Sequence, residues 1–375
     1  MDKMFKRSLV GAAVAAVAMS GSVLAKPATD SVDLYGQVAL SIWQFGEDKI
    51  ASGDQPLQFE NESRFGLRGT KELARGPKLI WQMEGGNVGD AGANSGLGVR
   101  DTFVGFEFDD GGKLRAGRLL TPLYEIVDWP YSGQRAGAVF DWGGDVVGGA
   151  RYDRQSNMVR YDSASFGGFK FNLAAGRGTE SDKDSNFYGV GAHFTTGGFT
   201  VHGGLEVGEN RSVSNFNTAY NQYLNQNPGD VPTLGDEDKV TAISDTFAAI
   251  LGFEYYINDF GVYGAYKKEE AEYSNVKLDD VVRPELNGAE IEQDSYSFGI
   301  VYSGVENWNF KMNYAANLNA DLNSSEVKGT KDYIISAQAM YFLDDSALTY
   351  FRPYMISKDD SDAEFGWGLG LEYYF

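Results

Sequence analysis

EFGWGLGLEYYF, residues 364–375, alternates from end to end. Phe365, Trp367, Leu369, Leu371, Tyr373 and Phe375 fall on one face of a period-two segment, and Gly366, Gly368, Gly370 and Glu372 on the other. Such alternation is the mark of a strand between two unlike environments. The pattern recurs throughout. In Val32 to Trp43, Val32, Leu34, Gly36, Val38, Leu40 and Ile42 share one face, with Asp33, Tyr35, Gln37, Ala39 and Ser41 opposite. Similar faces occur at Leu79/Trp81/Met83, Phe169/Phe171/Leu173, Tyr188/Val190/Ala192/Phe194 and Phe247/Ala249/Leu251/Phe253, and again in the stretches around Ile300, Met312 and Ile335. About sixteen such segments follow residue 26. Alternation alone suits a sandwich with one wet face. Its persistence, with aromatics gathered near segment ends, suits a barrel in lipid.

The connectors decide between the two. Short Gly/Asp/Asn turns fall at 73–76, 109–112, 165–168, 195–198, 257–260, 304–307 and 343–346, sequences that permit tight turns. Between them lie longer connectors near 45–58, 86–98, 119–155, 178–186, 207–245, 269–293, 316–330 and 357–363. One rim of short turns and one of long polar loops is the layout of an outer-membrane barrel. The expected fold is therefore all-β, a 16-stranded antiparallel transmembrane barrel.

MDKMFKR, an apolar stretch to Leu24 and Val23-Leu24-Ala25 read as a secretory signal peptide over residues 1–25. Residues 26–375 then form a single barrel domain. The whole chain carries 32 basic and 53 acidic residues. Removing the leader leaves 29 against 52, a net charge of −23, which argues against nucleic acid as a partner. There is no cysteine, hence neither disulfide nor thiolate chemistry. Much of the acid lies in the predicted long connectors: Asp236/Glu237/Asp238, Glu269/Glu270/Glu272, Asp279/Asp280, Glu290/Glu292 and Asp359/Asp360/Asp362. These runs read as a solvated rim. No cofactor is required, although divalent cations could bridge loop carboxylates to each other or to lipopolysaccharide phosphates. The Asn/Gln-rich stretch from Asn210 to Asp245 is expected to be mobile.

One connector stands apart. From about Leu119 to Gln155 the chain runs between two clear strands, carrying Glu125, Asp128, Asp141 and Asp145 with Trp129, Tyr131 and Trp142. A loop this long inside a compact domain is usually functional, and its aromatics suggest that it folds inward. On the flanking strands Arg64 and Arg68 lie opposite Phe65 and Leu67 and so point into the channel. Arg100, Arg115 and Arg160 follow the same parity argument, and Arg154 opens the returning strand. Asp101 is expected to face outward. Arg118 has the wrong parity for the lumen unless Gly117 forms a bulge.

DLYGQVALS at Asp33, SRFGLRGTKEL at Ser63, VRDTFVGFEF at Val99, KLRAGR at Lys113, NMVRYDS at Asn157, FGGFKFNLAAG at Phe166 and the final YYF together resemble the Gram-negative general porins. The resemblance implies a trimeric sixteen-stranded barrel in the outer membrane whose third outer loop folds into the lumen and narrows it. By position that loop is Leu119 to Gln155, and FDWGGD at Phe140 is similar to the family's acidic-aromatic-Gly-Gly segment. It further implies a pore-facing Arg118, and a Phe375 read by the barrel-assembly machinery. Partners would be two further copies, outer-membrane lipid and lipopolysaccharide, and small hydrophilic solutes. Small residues near both termini (Gly36, Ala39, Gly366 and Gly368) offer room for subunit packing.

Wall arginines facing loop carboxylates would set a transverse field, easing passage of ions and polar solutes. Acidic vestibules add a mild cation preference. The expected function is passive diffusion of ions and small hydrophilic solutes. The alternative is a substrate-specific channel, for sugars or another small solute, using the loop aromatics. A barrel hydrolase is a third reading. It would have to use His193 and His202, which share lumen parity, but no HExxH, GxSxG or P-loop pattern accompanies them. They read more simply as polar lining.

Overall fold

The computed structural model describes residues 26–29, 31–45, 57–89, 96–141, 153–178, 184–214, 240–278, 281–282, 284 and 287–375. The predicted leader, Trp142 and Asp145, and the run 236–238 lie outside the described residues.

Sixteen wall strands form one antiparallel sheet. They are β1 (Val32–Gln44), β2 (Leu57–Asn61 and Arg64–Lys71, with a break between), β3 (Lys78–Gly85), β4 (Leu97–Phe108), β5 (Gly112–Leu120), β6 (Arg154–Asp162), β7 (Phe169–Arg177) and β8 (Asn186–Thr196). The circuit continues with β9 (Phe199–Ser214), β10 (Val240–Ile257), β11 (Phe260–Leu278), β12 (Ala289–Tyr302), β13 (Trp308–Asn317), β14 (Asp332–Phe342), β15 (Ala347–Ser357) and β16 (Glu364–Tyr374). β16 pairs back onto β1, with Leu371 opposite Leu40, and closes the cylinder. Closure leaves no sheet edge, so the ladder satisfies the backbone polar groups without water. Phe375 finishes the seam: its N–H donates to the Gly36 carbonyl at 3.1 Å, and its carbonyl accepts from Gly36 at 2.9 Å.

Parity sorts the two faces. Val38, Leu40, Phe65, Val104, Leu173, Leu251, Leu369 and Leu371 are exposed on the outside. A continuous exposed apolar band of this extent is a lipid-facing surface. Their neighbours in sequence point inward. Ala39, Gly366 and Gly368 belong to that inner set, contrary to the expected role in subunit packing: a Cβ at Gly366 would strike Tyr354, and one at Gly368 would strike Trp43. These glycines make room for inner aromatic rings. Gly36 alone of the four keeps outward parity.

The long connectors are shorter than expected. β9, β10 and β11 run 16, 18 and 19 residues, well beyond the 9–11 or so needed to cross a bilayer. Glu269, Glu270, Glu272 and Asp245 therefore sit in a ladder, and Asn210, at the other end of the stretch expected to be mobile, lies in β9 at a bulge. Paired strands can rise above the membrane because each satisfies its neighbour's backbone, and there the polar alternation looks like loop sequence. Likewise 316–330 contains a small hairpin, Ala320–Leu322 with Ser325–Val327.

Candidate functional site

The segment after β5 begins with a helix start written in the sequence. Thr121 caps α1 (Pro122–Ile126), its hydroxyl accepting from Tyr124 N–H at 3.1 Å, and Pro122 opens the first turn. A π-turn, Val127–Tyr131, follows, broken by the extended backbone of Trp129. α2 (Gly137–Phe140) ends the described part. The segment walks round the inner wall: α1 lies on β7 to β10, the π-turn on β11 and β12, and α2 on β12 to β14. Leu123, Ile126, Tyr131, Val139 and Phe140 are completely buried there against Ala248, Ile250, Tyr263, Ala315 and Ile334. The wall is thinned to admit them. A Cβ at Gly252 would lie 2.3 Å from the Tyr131 hydroxyl, and one at Gly204 3.1 Å from Ile126. Three hydrogen bonds fix the fit: Ser297 Oγ donates to the Tyr131 carbonyl (2.7 Å), Tyr263 Oη to Gln134 Oε1 (3.0 Å), and Asn317 Nδ2 to the Val139 carbonyl (3.1 Å).

The opposite wall, β1 to β6, carries the arginines that the sequence singled out. Arg64 donates to Asn87 (3.2 Å) and lies 3.7 Å from Glu84. Arg68 sits 3.5 Å from Asp33 and over the Tyr35 ring. Arg100 is bonded to Glu84. Arg115 takes Asp162 with both Nε (3.1 Å) and Nη2 (2.5 Å). Arg154 bonds Asp101 at 2.7 Å. Arg160, 1 % exposed, reaches Asp162 (2.7 Å), the Leu120 carbonyl (2.8 Å) and Glu125 (2.5 Å). The partners of these arginines are thus mostly wall carboxylates. Of the described ion pairs only Arg160–Glu125 joins the arginine wall to α1, and it fastens the start of the loop.

Asp101 corrects the expectation of an outward side chain. Between β3 and β4 the register slips, so that Met83 opposes Thr102 while Gly85 opposes Leu97. Gly98, at φ +93°, lies in the extra length. The bulge resets parity, and the consecutive Arg100 and Asp101 both make inner-face ion pairs. Gly117, at φ +146°, marks a second slip, between β5 and β6. Arg118 pairs with Thr102, of outward parity, and its guanidinium bridges the Val99 carbonyl (2.7 Å) and Ser156 (3.0 Å) instead of a carboxylate.

On the loop, Asp141 accepts from the Tyr124 hydroxyl at 3.3 Å. Asp128 opens to the lumen but is enclosed by loop and wall. That confinement, then the Asp141 charge, pushes its carboxyl up to about 6, while Arg100 and Arg154 pull the other way. Asp128, open to the lumen, thus lies within the field of Arg100 and Arg154, whereas Glu125 is bonded directly to Arg160. Sequence reasoning missed Asp33, Glu84 and Asp162 as partners, although Asp162 lies two residues from Arg160 and so shares its face. It also missed Arg135, which comes from the loop and stacks on Trp43 with its centre 4.3 Å from the ring, and Lys311, 4.4 Å from the Trp129 ring.

A closed barrel, aliphatic outside and lined with ion pairs within, is a transmembrane channel of the outer-membrane type. The comparisons agree. A Gram-negative porin profile matches residues 11–361. Chitoporin of Vibrio furnissii is 36% identical, with 100% of each chain covered. Major outer membrane protein P.IB of Neisseria gonorrhoeae is 29% identical over 52% of this chain and 55% of its own. Among solved structures, OmpT of Vibrio cholerae superposes with a TM-score of 0.69 at 15% identity, covering 94% of this chain and 100% of that one. The anion-selective porin from Comamonas acidovorans gives 0.66 at 19%, covering 92% and 99%. These two share the fold. The chain belongs to the Gram-negative porin family, and it is an outer-membrane porin.

Proposed function

We propose that residues 121–141 narrow the lumen, and that Asp128, set against Arg100 and Arg154, fixes which ions and small hydrophilic solutes diffuse through. That juxtaposition carries the reading. A dipolar solute entering such a gap exchanges water for fixed charges of both signs, whereas an apolar one loses ordered water without replacement. The role is passive transport without catalysis. Three copies assemble, as in the trimer form of OmpT from Vibrio cholerae, and Phe375 at the closing seam serves as the assembly signal. Reversal potentials across a salt gradient test the reading. Asp128→Asn moves selectivity toward anions. Arg154→Gln, which also frees the Asp101 charge, moves it toward cations. Selectivity unmoved by both would displace the filter from this loop.

A sugar-selective channel is the second reading. It is favoured by the half-buried Trp129 on the loop, a flat apolar surface for a sugar ring, and by full-length likeness to a protein named chitoporin. N-acetylglucosamine oligomers would then interrupt the current at concentrations where glucose oligomers of equal length do not. Equal interruption by both returns the channel to general diffusion.

A further inference from the structure

His193 and His202 face each other across the β8–β9 hairpin as direct register partners on the inner wall. Their Nδ1 atoms are 2.8 Å apart. Both outer nitrogens are engaged, His193 Nε2 with Asn172 Oδ1 at 3.2 Å and His202 Nε2 with Glu254 Oε1 at 2.9 Å. Neither partner can donate. The Glu254 carboxylate only accepts. The Asn172 amide nitrogen already donates to Asp162 Oδ1 at 2.7 Å, and Asp162 also pairs with Arg115 and Arg160. Both Nε2 atoms must therefore carry the hydrogen, which in neutral imidazoles leaves two bare Nδ1 lone pairs facing each other. Lone pairs that close need a cation between them.

We propose that this pair is a binding site for a divalent transition metal, copper(II) or nickel(II), with the two Nδ1 atoms as adjacent ligands and water completing the shell. The surroundings are those of a metal site: a ligating histidine ordinarily gives its other N–H to a carboxylate or carbonyl, which fixes the tautomer and the ring. Here Glu254 and Asn172 do so. The spacing selects the ion. With metal–nitrogen bonds of about 2.0–2.1 Å, a 2.8 Å separation subtends about 85–90°, the angle between neighbours in square-planar or octahedral shells. Tetrahedral zinc would want its nitrogens about 3.3 Å apart. Glu125 counters part of the positive charge of Lys170 and Arg160 near His193, and Glu254 sits 2.9 Å from His202. Among the described residues no cluster of three or more His, Cys, Asp or Glu is placed to hold a metal, so two imidazoles and water imply moderate, reversible affinity.

The test is titration of copper(II), nickel(II) and zinc(II) into folded protein in detergent, with electron paramagnetic resonance of the copper form. The proposal expects one saturable copper per chain and hyperfine splitting from two imidazole nitrogens. It expects copper and nickel to bind ahead of zinc, and loss of the site in His193→Gln and in His202→Gln. Glu254→Gln, which leaves both ligands in place, should weaken binding roughly tenfold. Wild-type protein that binds no copper overturns the proposal whatever the variants do, and means that a shared proton occupies the gap. A copper signal unchanged in both histidine variants overturns it too.

Discussion

Two stretches of the same inner wall, β1–β6 and β7–β14, obey one parity rule and end in opposite states. On β1–β6 the inward residues are arginines laced to Asp33, Glu84, Asp101 and Asp162, and most keep contact with lumen water. Where the loop covers β7–β14 they include Gly204, Ala248, Ile250, Gly252 and Ala315, sealed beneath it. Even charges are sealed there: Lys267 and Glu269, 2.8 Å apart, are both 0 % exposed. Inward is not the same as wet. One half of the wall carries the field and the other carries the loop that faces it.

The largest effect that would sharpen this contrast is expected at Arg160, the bridge between the halves. Arg160→Ala takes the buried cation from Glu125 and leaves Asp162 to Arg115 alone, and should cost about 3–5 kcal/mol, read as a lowered melting temperature of the folded barrel. Gly252→Leu overfills the dry half beneath Tyr131. It should cost about 1–3 kcal/mol and alter single-channel conductance by displacing the loop; unchanged conductance would break the claim that the loop is seated there. Asp128 supplies a pH signature. Its folded carboxyl keeps a proton up to about pH 6, so as pH falls from 7 to 5 the loop loses a negative charge and cation preference declines. The linked stability has the same sense: it favours the folded loop at low pH and is lost as pH rises through about 6. Asp128→Asn should flatten the selectivity profile. Arg68→Ala is the smallest. Its pair with Asp33 is partly open to water, so less than about 1 kcal/mol is expected in the same melting experiment.

The fold was legible because period-two alternation and unequal connectors are direct consequences of a lipid outside and a closed ladder. The short turns fall where Asp109–Gly112 and Leu343–Ser346 say they should. The site was only half legible. Parity placed Arg64, Arg68 and Arg160 on the inner face, but failed at Asp101, because the bulge around Gly98 lets two consecutive residues, Arg100 and Asp101, both turn inward. The strands carrying Glu269 and Glu290 were read as loops because polar alternation above the membrane has no apolar face to announce it. The sealing of β7–β14 by residues 122–140 depends on contacts such as Tyr263–Gln134, 129 residues apart, which no local pattern encodes.

The contrast between the two walls can be tested directly because the chain contains no cysteine. Single cysteines at Asp128 and at Ala315, both within the cylinder, would be exposed to a charged, membrane-impermeant thiol reagent during bilayer recording. The account predicts that reagent changes the current through Asp128→Cys and leaves Ala315→Cys untouched beneath α2. Equal modification of both would mean that β7–β14 is wet, and the division of the wall would fall.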